Sequence, residues 1–142
     1  MTNIINKEEM RAAYDEVRKD DSDITWAVFI YNDDNKITTG ETGIEYDEML
    51  NQFADDARVF AYVRLITGDE MSKRAKFAFI TWIGTSVSAM KRAKVSTDKA
   101  FVKQVMPEYG KEFLADDKSD VAKDVVLAEL GKAGGANYGS AR

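Results

Sequence analysis

The chain has 142 residues, a formal net charge of −5, 44% apolar and 11% aromatic content, and neither cysteine nor histidine. That size suits one domain with a single sizeable core, and the composition argues against wholesale disorder. Without cysteine there are no disulfide staples, cysteine metal sites or cysteine nucleophiles, and without histidine the usual hydrolytic triads cannot be built. An enzyme built from carboxylates and lysines stays open as the least favoured reading, so no enzyme, metal site or cofactor is expected.

The opening MTNIINKEEM has no basic start followed by an apolar run, and no apolar stretch nears the roughly 20 residues needed to cross a bilayer. A soluble, intracellular protein is expected, with a monomer as the default state. Lys7 to Asp20 places Met10, Ala13, Tyr14 and Val17 on one helical stripe, with Glu8 and Glu9 in the first turn and Arg18 and Lys19 in the last. ITWAVFIY, Ile24 to Tyr31, reads as a strand covered on both faces. Asn32 to Asn35 form a turn, Lys36 to Gly43 a threonine-rich strand nearer an edge, and Tyr46 to Ala54 a short helix.

ARVFAYVRLI, Ala57 to Ile66, points Val59, Ala61, Val63 and Leu65 one way and Phe60, Tyr62 and Ile66 the other, with Arg64 as the polar exception. KFAFITWIG does the same with Phe77, Phe79 and Ile83 opposite Ala78, Ile80 and Trp82. The short TGDEMS connection makes the pair an antiparallel hairpin. From Ser86 to Val105 the period becomes helical, with Met90, Ala93, Thr97, Ala100, Phe101 and Val105 as the expected core stripe and Pro107 and Gly110 beyond its end. A brief strand over Glu112 to Ala115 and a helix from Ser119 to Leu130 follow, and the glycine-rich end GKAGGANYGSAR reads as a flexible tail. Strands covered on both faces need helices on both sides, which predicts a three-layer α/β domain with a mostly antiparallel central sheet.

Two motif readings fail on spacing. From Asp33 a calcium loop would need glycine at Thr38 and glutamate at Ile44, and the glycines of GKAGGANYG do not join a strand to a helix. Asp55 and Asp56 have no acid/base context, and Trp26 and Trp82 read as core aromatics. The cations stand out instead. Met71 to Lys111 holds nine of the chain's 20 Lys and Arg but two of its 25 Asp and Glu. Lys91, Arg92 and Lys94 crowd the start of a helix beginning near Ser88, against the helix dipole. Arg92, Ser96, Lys99 and Lys103 share a face, expected opposite the apolar stripe. Lys73, Arg74 and Lys76 precede the second hairpin strand, and together these residues are read as one cationic ridge for an acidic partner.

KEEMRAAYDEVR (7–18), DDARVFAYVRLITGDEMSKRAKFAFITWIG (55–84), VSAMKRAKVSTDKAFVKQV (87–105) and KAGGANY (132–138) resemble the coactosin branch of the actin-depolymerising-factor homology family, which also contains cofilin. The resemblance runs in register over nearly the whole chain. It implies a five- or six-stranded mixed sheet between helices, a single domain over 1–131 and a flexible tail over 132–142. It also implies binding along actin filaments with little severing or depolymerisation, interference with barbed-end capping, and residence in the cytoplasm and cytoskeleton. By motif match it makes Lys76 central to filament binding, flanked by Lys73 and Arg74. Lys91, Arg92, Lys94 and, less directly, Lys99 belong to its actin-facing helix. MTNI carries Thr2 and no match to the phosphoregulated serine of cofilins, and GTSVSAMKRAK departs from the cofilin pattern, which argues against tight binding of monomeric actin. The alternative from another class is an anionic-lipid or nucleic-acid module using the same patch. Nucleic acid is the weaker option, since the acidic remainder would repel a polyanion and the aromatics are needed in the core. Phosphoinositide contact is a property of the wider family and is compatible with actin binding.

Overall fold

The computed structural model describes residues 3–68 and 71–139, with the backbone alone over 133–139. Thr2, the Asp69–Glu70 part of the hairpin turn and residues 140–142 of the expected tail lie outside the described residues.

Asn6 opens α1 (Lys7–Arg18): its side-chain oxygen accepts the Glu9 amide at 2.9 Å, and Met10, Tyr14 and Val17 form the buried stripe. β1 (Trp26–Tyr31) and β2 (Ile37–Gly43) follow, then the short α2 (Tyr46–Leu50). β3 (Arg58–Thr67) and β4 (Arg74–Ile83) are the expected hairpin, paired antiparallel from Arg58 with Ile83 to Thr67 with Arg74. α3 (Ala89–Val105) crosses back to β5 (Lys111–Ala115), which lies parallel to β4. A single 3-10 turn, Lys118–Val121, leads into α4 (Lys123–Gly139). The five strands form one mixed sheet in the order β2-β1-β3-β4-β5, antiparallel except for the last pair.

Strict alternation along β3 and β4 divides the interior into two layers. Trp26, Val28, Val59, Ala61, Val63, Leu65, Ala78, Ile80 and Trp82 face α2 and α4, where Met49, Phe53, Val126 and Leu130 cover them. Phe29, Phe60, Tyr62 and Phe79 face α1 and α3. Both tryptophans are core residues, and each satisfies its indole N–H on a carbonyl, Trp26 on Glu45 and Trp82 on Ala54. Arg64, the polar exception in β3, donates to the carbonyls of Val17, Lys19 and Ser22, so it satisfies the open C-terminal end of α1.

Two elements differ from the sequence reading. α4 starts later than Ser119, and its backbone stays helical through Gly139 rather than ending at Leu130. In α3 the buried residues are Val95, Asp98, Val102 and Val105, while Met90, Ala93, Thr97 and Ala100 of the expected stripe are exposed. The physical reason is Asp98. A carboxylate in the middle of the inward face breaks the apolar pattern, and a stripe drawn through alanines and Met90 then looks more continuous than the true one.

Candidate functional site

Asp98 is 1% exposed, and three donors make that tolerable. Asn3 Nδ2 donates to its Oδ1, and the Tyr31 hydroxyl and Lys94 Nζ donate to its Oδ2, all at 2.7 Å. Burial pushes the Asp98 pKa up, but the hydrogen bonds from Lys94, Tyr31 and Asn3 outweigh it and hold the carboxyl below its ordinary range. Burial and then Asp98 push the Tyr31 hydroxyl up, so it stays a donor. Arg58 extends the group, lying 3.8 Å over the Tyr31 ring and donating to Asn35 Oδ1 at 2.7 Å. Asn35 adopts a left-handed φ of 63° at the β1–β2 turn, a conformation asparagine accepts more readily than most residues.

Several of the cations at the start of α3 are therefore already engaged. Lys94 belongs to the Asp98 group and sits 5.3 Å from the centre of the Tyr31 ring. Arg92 reaches back to the carbonyls of Gly84 and Val87 at 3.2 and 3.3 Å. These contacts supply compensation for positive charge at the helix start that spacing could not reveal. Lys99 and Lys103 both bind Glu112 at 2.9 Å and join α3 to β5. Burial raises the Glu112 pKa, yet the bonds from Lys103 and Lys99 prevail and lower it. Arg92, Lys99 and Lys103 are half-buried flanks of the packed face rather than a separate face opposite the core.

Lys73, Arg74, Lys76 and Lys91 are different. None of their side chains forms a hydrogen bond or ion pair with another described residue. Lys73 and Arg74 are exposed at the start of β4 and Lys76 is half-buried there, across from Leu65. Alternation puts Arg74 and Lys76 on the Ala78–Ile80 side, the side that α2 and α4 cover farther along the strand. Lys111 starts β5 opposite Ala78 on the same side, and its Nζ is 3.6 Å from Glu129 of α4, which also pairs with Lys132. Lys111 and Lys132 are additions to this cluster that the sequence motifs did not single out.

The cations do not make one ridge. β4 has ten residues, a span of about 30 Å, with Arg74 at its start and the loop into α3 after Ile83. α3 then runs back, since Gly110 beyond its end donates to the Phe77 carbonyl at 2.7 Å. Lys91 is thus at the opposite end of the sheet from Lys76, and α3 lies on the opposite face. Gly84 makes the far end compact: a Cβ there would lie 2.0 Å from the Asp55 carbonyl oxygen. Beside Lys91 the exposed face of α3 offers Met90, Ala93, Thr97 and Ala100, an apolar strip of mostly small residues that the sequence reading had assigned to the core.

Residues 3–131 match the family of cofilin/tropomyosin-type actin-binding proteins. The chain belongs to that family. It is 51% identical to human coactosin-like protein over 138 residues, 97% of this chain and 96% of that one. Crystal structures of the human protein superpose with a TM-score of 0.86 at 48% identity, covering 93% of this chain and 99% of that chain. The solution structure of mouse coactosin, described as an actin filament binding protein, gives a TM-score of 0.79 at 48% identity, covering 99% and 98% of the two chains. The three-layer fold and the coactosin resemblance read from the sequence are both borne out.

Proposed function

We propose that the chain binds along actin filaments as a coactosin-type member of the family, with Lys76 at the centre of one contact and Lys73 and Arg74 around it. The observation that carries this reading is the separation of two surfaces with uncommitted cations at opposite ends of one sheet. Actin subunits present acidic surfaces repeatedly along the polymer in this reading, so a rigid ligand with two separated contact points gains more from neighbouring subunits than from a single one. At the α3 end the contact is the exposed Met90–Ala100 strip with Lys91 at its rim. Arg92, Lys94 and Lys99 act there chiefly by holding the helix in place. The finer expectations belong to the same reading: weak severing and depolymerisation, interference with barbed-end capping, action as a monomer in the cytoplasm, and an independent domain over 1–131.

Co-sedimentation of wild type with polymerised actin at near-cellular ionic strength tests it, together with binding to monomeric actin and to phosphoinositide vesicles. Pelleting with filaments and weak affinity for monomers and vesicles is the expected result. Wild-type protein that stays in the supernatant would overturn the reading, and vesicle binding without filament binding would favour the lipid alternative.

A further inference from the structure

The described methionines divide into two kinds. Met10, Met49 and Met106 are fully buried, whereas Met71 and Met90 are 92% and 85% exposed, the highest exposures among the large apolar side chains described. Each exposed methionine sits in one of the two surfaces just assigned. Met71 lies on the β3–β4 turn, two residues before Lys73, and Met90 lies in the first turn of α3 beside Lys91. An exposed, apolar, polarisable side chain close in the chain to uncommitted cations, as Met71 is to Lys73 and Arg74 and Met90 is to Lys91, has the composition of an interface anchor with a charged rim. The chain has no cysteine, so thioethers are its only sulfur chemistry.

We propose that Met71 is an oxidation site whose state sets the strength of the Lys76 contact, an inference that rests on the filament reading above. With a peroxide as oxidant, the thioether sulfur attacks one peroxide oxygen and the O–O bond breaks. Sulfur gives up two electrons and gains that oxygen as the sulfoxide, and the second oxygen leaves as water or an alcohol carrying the proton. Reductases specific for methionine sulfoxide reverse the change. The product keeps the length of the side chain but carries a strong S–O dipole. Buried against a partner, that dipole must find a donor or keep its water. The cations next in the chain, Lys73 and Arg74, would then be drawn to it and away from carboxylates across the contact. Whether the buried dipole or the abandoned carboxylate is left without its partner, the contact weakens about tenfold.

Met90→Leu removes the other exposed thioether at nearly constant volume. Full-length Met90→Leu and Met71→Leu/Met90→Leu proteins are treated with hydrogen peroxide, mapped by mass spectrometry for the added oxygen, and co-sedimented with filaments. Met1 is common to both and is controlled by the comparison. The expected result is a loss of about tenfold for oxidised Met90→Leu, reversed by sulfoxide reductase, and no loss for the double variant. The same contrast is expected between wild type and Met71→Leu, in smaller degree, which serves where Met90→Leu itself binds poorly. Unchanged binding with sulfoxide present at Met71, or equal losses with and without Met71, would overturn the proposal. If untreated wild type fails to pellet, the filament reading falls and takes this one with it; if it pellets and oxidation changes nothing, only this inference falls.

Discussion

Asn3 and Asp98, 95 positions apart in the chain, are joined by a 2.7 Å hydrogen bond that fastens the first described residue to the middle of the long helix. Next to it, the Ile4–Ile37 bridge lays the same segment along the edge strand β2. Asn3 and Ile4 are thereby held against the helix whose outer face is proposed to meet actin.

Asp98→Asn should lower stability by about 2–3 kcal/mol. It keeps the shape of the side chain but leaves Lys94, whose side chain is 23% exposed, without its counter-charge. The folded pKa of Asp98 lies below its unfolded value, so its contribution is complete above the ordinary aspartate pKa of about 3.9 and is lost as pH falls through the lower folded value. The gap between wild type and Asp98→Asn should therefore be steady near neutrality and narrow in acid. Urea denaturation over a pH series measures it, and a gap that persists below the folded pKa would show that charge at this position is not what stabilises.

Lys76→Ala should weaken filament binding thirtyfold or more, the loss of on the order of 2–5 kcal/mol expected for a desolvated interface cation. Lys103→Ala should cost at most about fivefold, because that side chain already serves Glu112. Co-sedimentation at two salt concentrations compares them directly. Equal, slight losses would remove Lys76 from the centre of the contact.

Ala93→Glu separates the exposed strip of α3 from the packed face. The position faces solvent, so stability should stay within about 0.5 kcal/mol of wild type while filament affinity falls at least tenfold. Thermal unfolding and co-sedimentation on the same preparation give both numbers. A protein that unfolds instead would restore the core assignment that the periodicity first suggested.

Gly84→Ala tests how tightly the far end of the sheet is closed. Its Cβ would meet the carbonyl oxygens of Asp55 at 2.0 Å and Ala54 at 2.5 Å, neither of which is a flexible side chain. A loss of about 3 kcal/mol or more in denaturant unfolding is expected, from overpacking against backbone. A loss under about 1 kcal/mol would mean that the loop gives way easily.

The sheet was legible because β3 and β4 alternate without error: Val59, Ala61, Val63, Leu65, Ala78, Ile80 and Trp82 are found in one layer, and Phe60, Tyr62 and Phe79 in the other. Arg64 looked like an exception and is one with a cause, since its donors close the end of α1. The long helix was misread by face for the opposite reason. Its inward side carries a carboxylate whose partners come from Asn3 and Tyr31, and no local pattern contains a contact made across 95 or 67 positions. For the same reason the cations could be counted but not sorted. Lys94, Lys99 and Lys103 turn out to have carboxylate partners, and only the pairing register shows that Lys76 and Lys91 are at different ends.

β4 is buried on both sides over its latter part and hydrogen-bonded to a neighbour along each edge. A strand so confined cannot stretch or bend appreciably, and it sets the distance between the hairpin tip and the head of α3. If the proposed two contacts hold, the molecule works as a gauge block: residence on a polymer would depend on whether the intervals between the polymer's own units match a length that this protein cannot adjust.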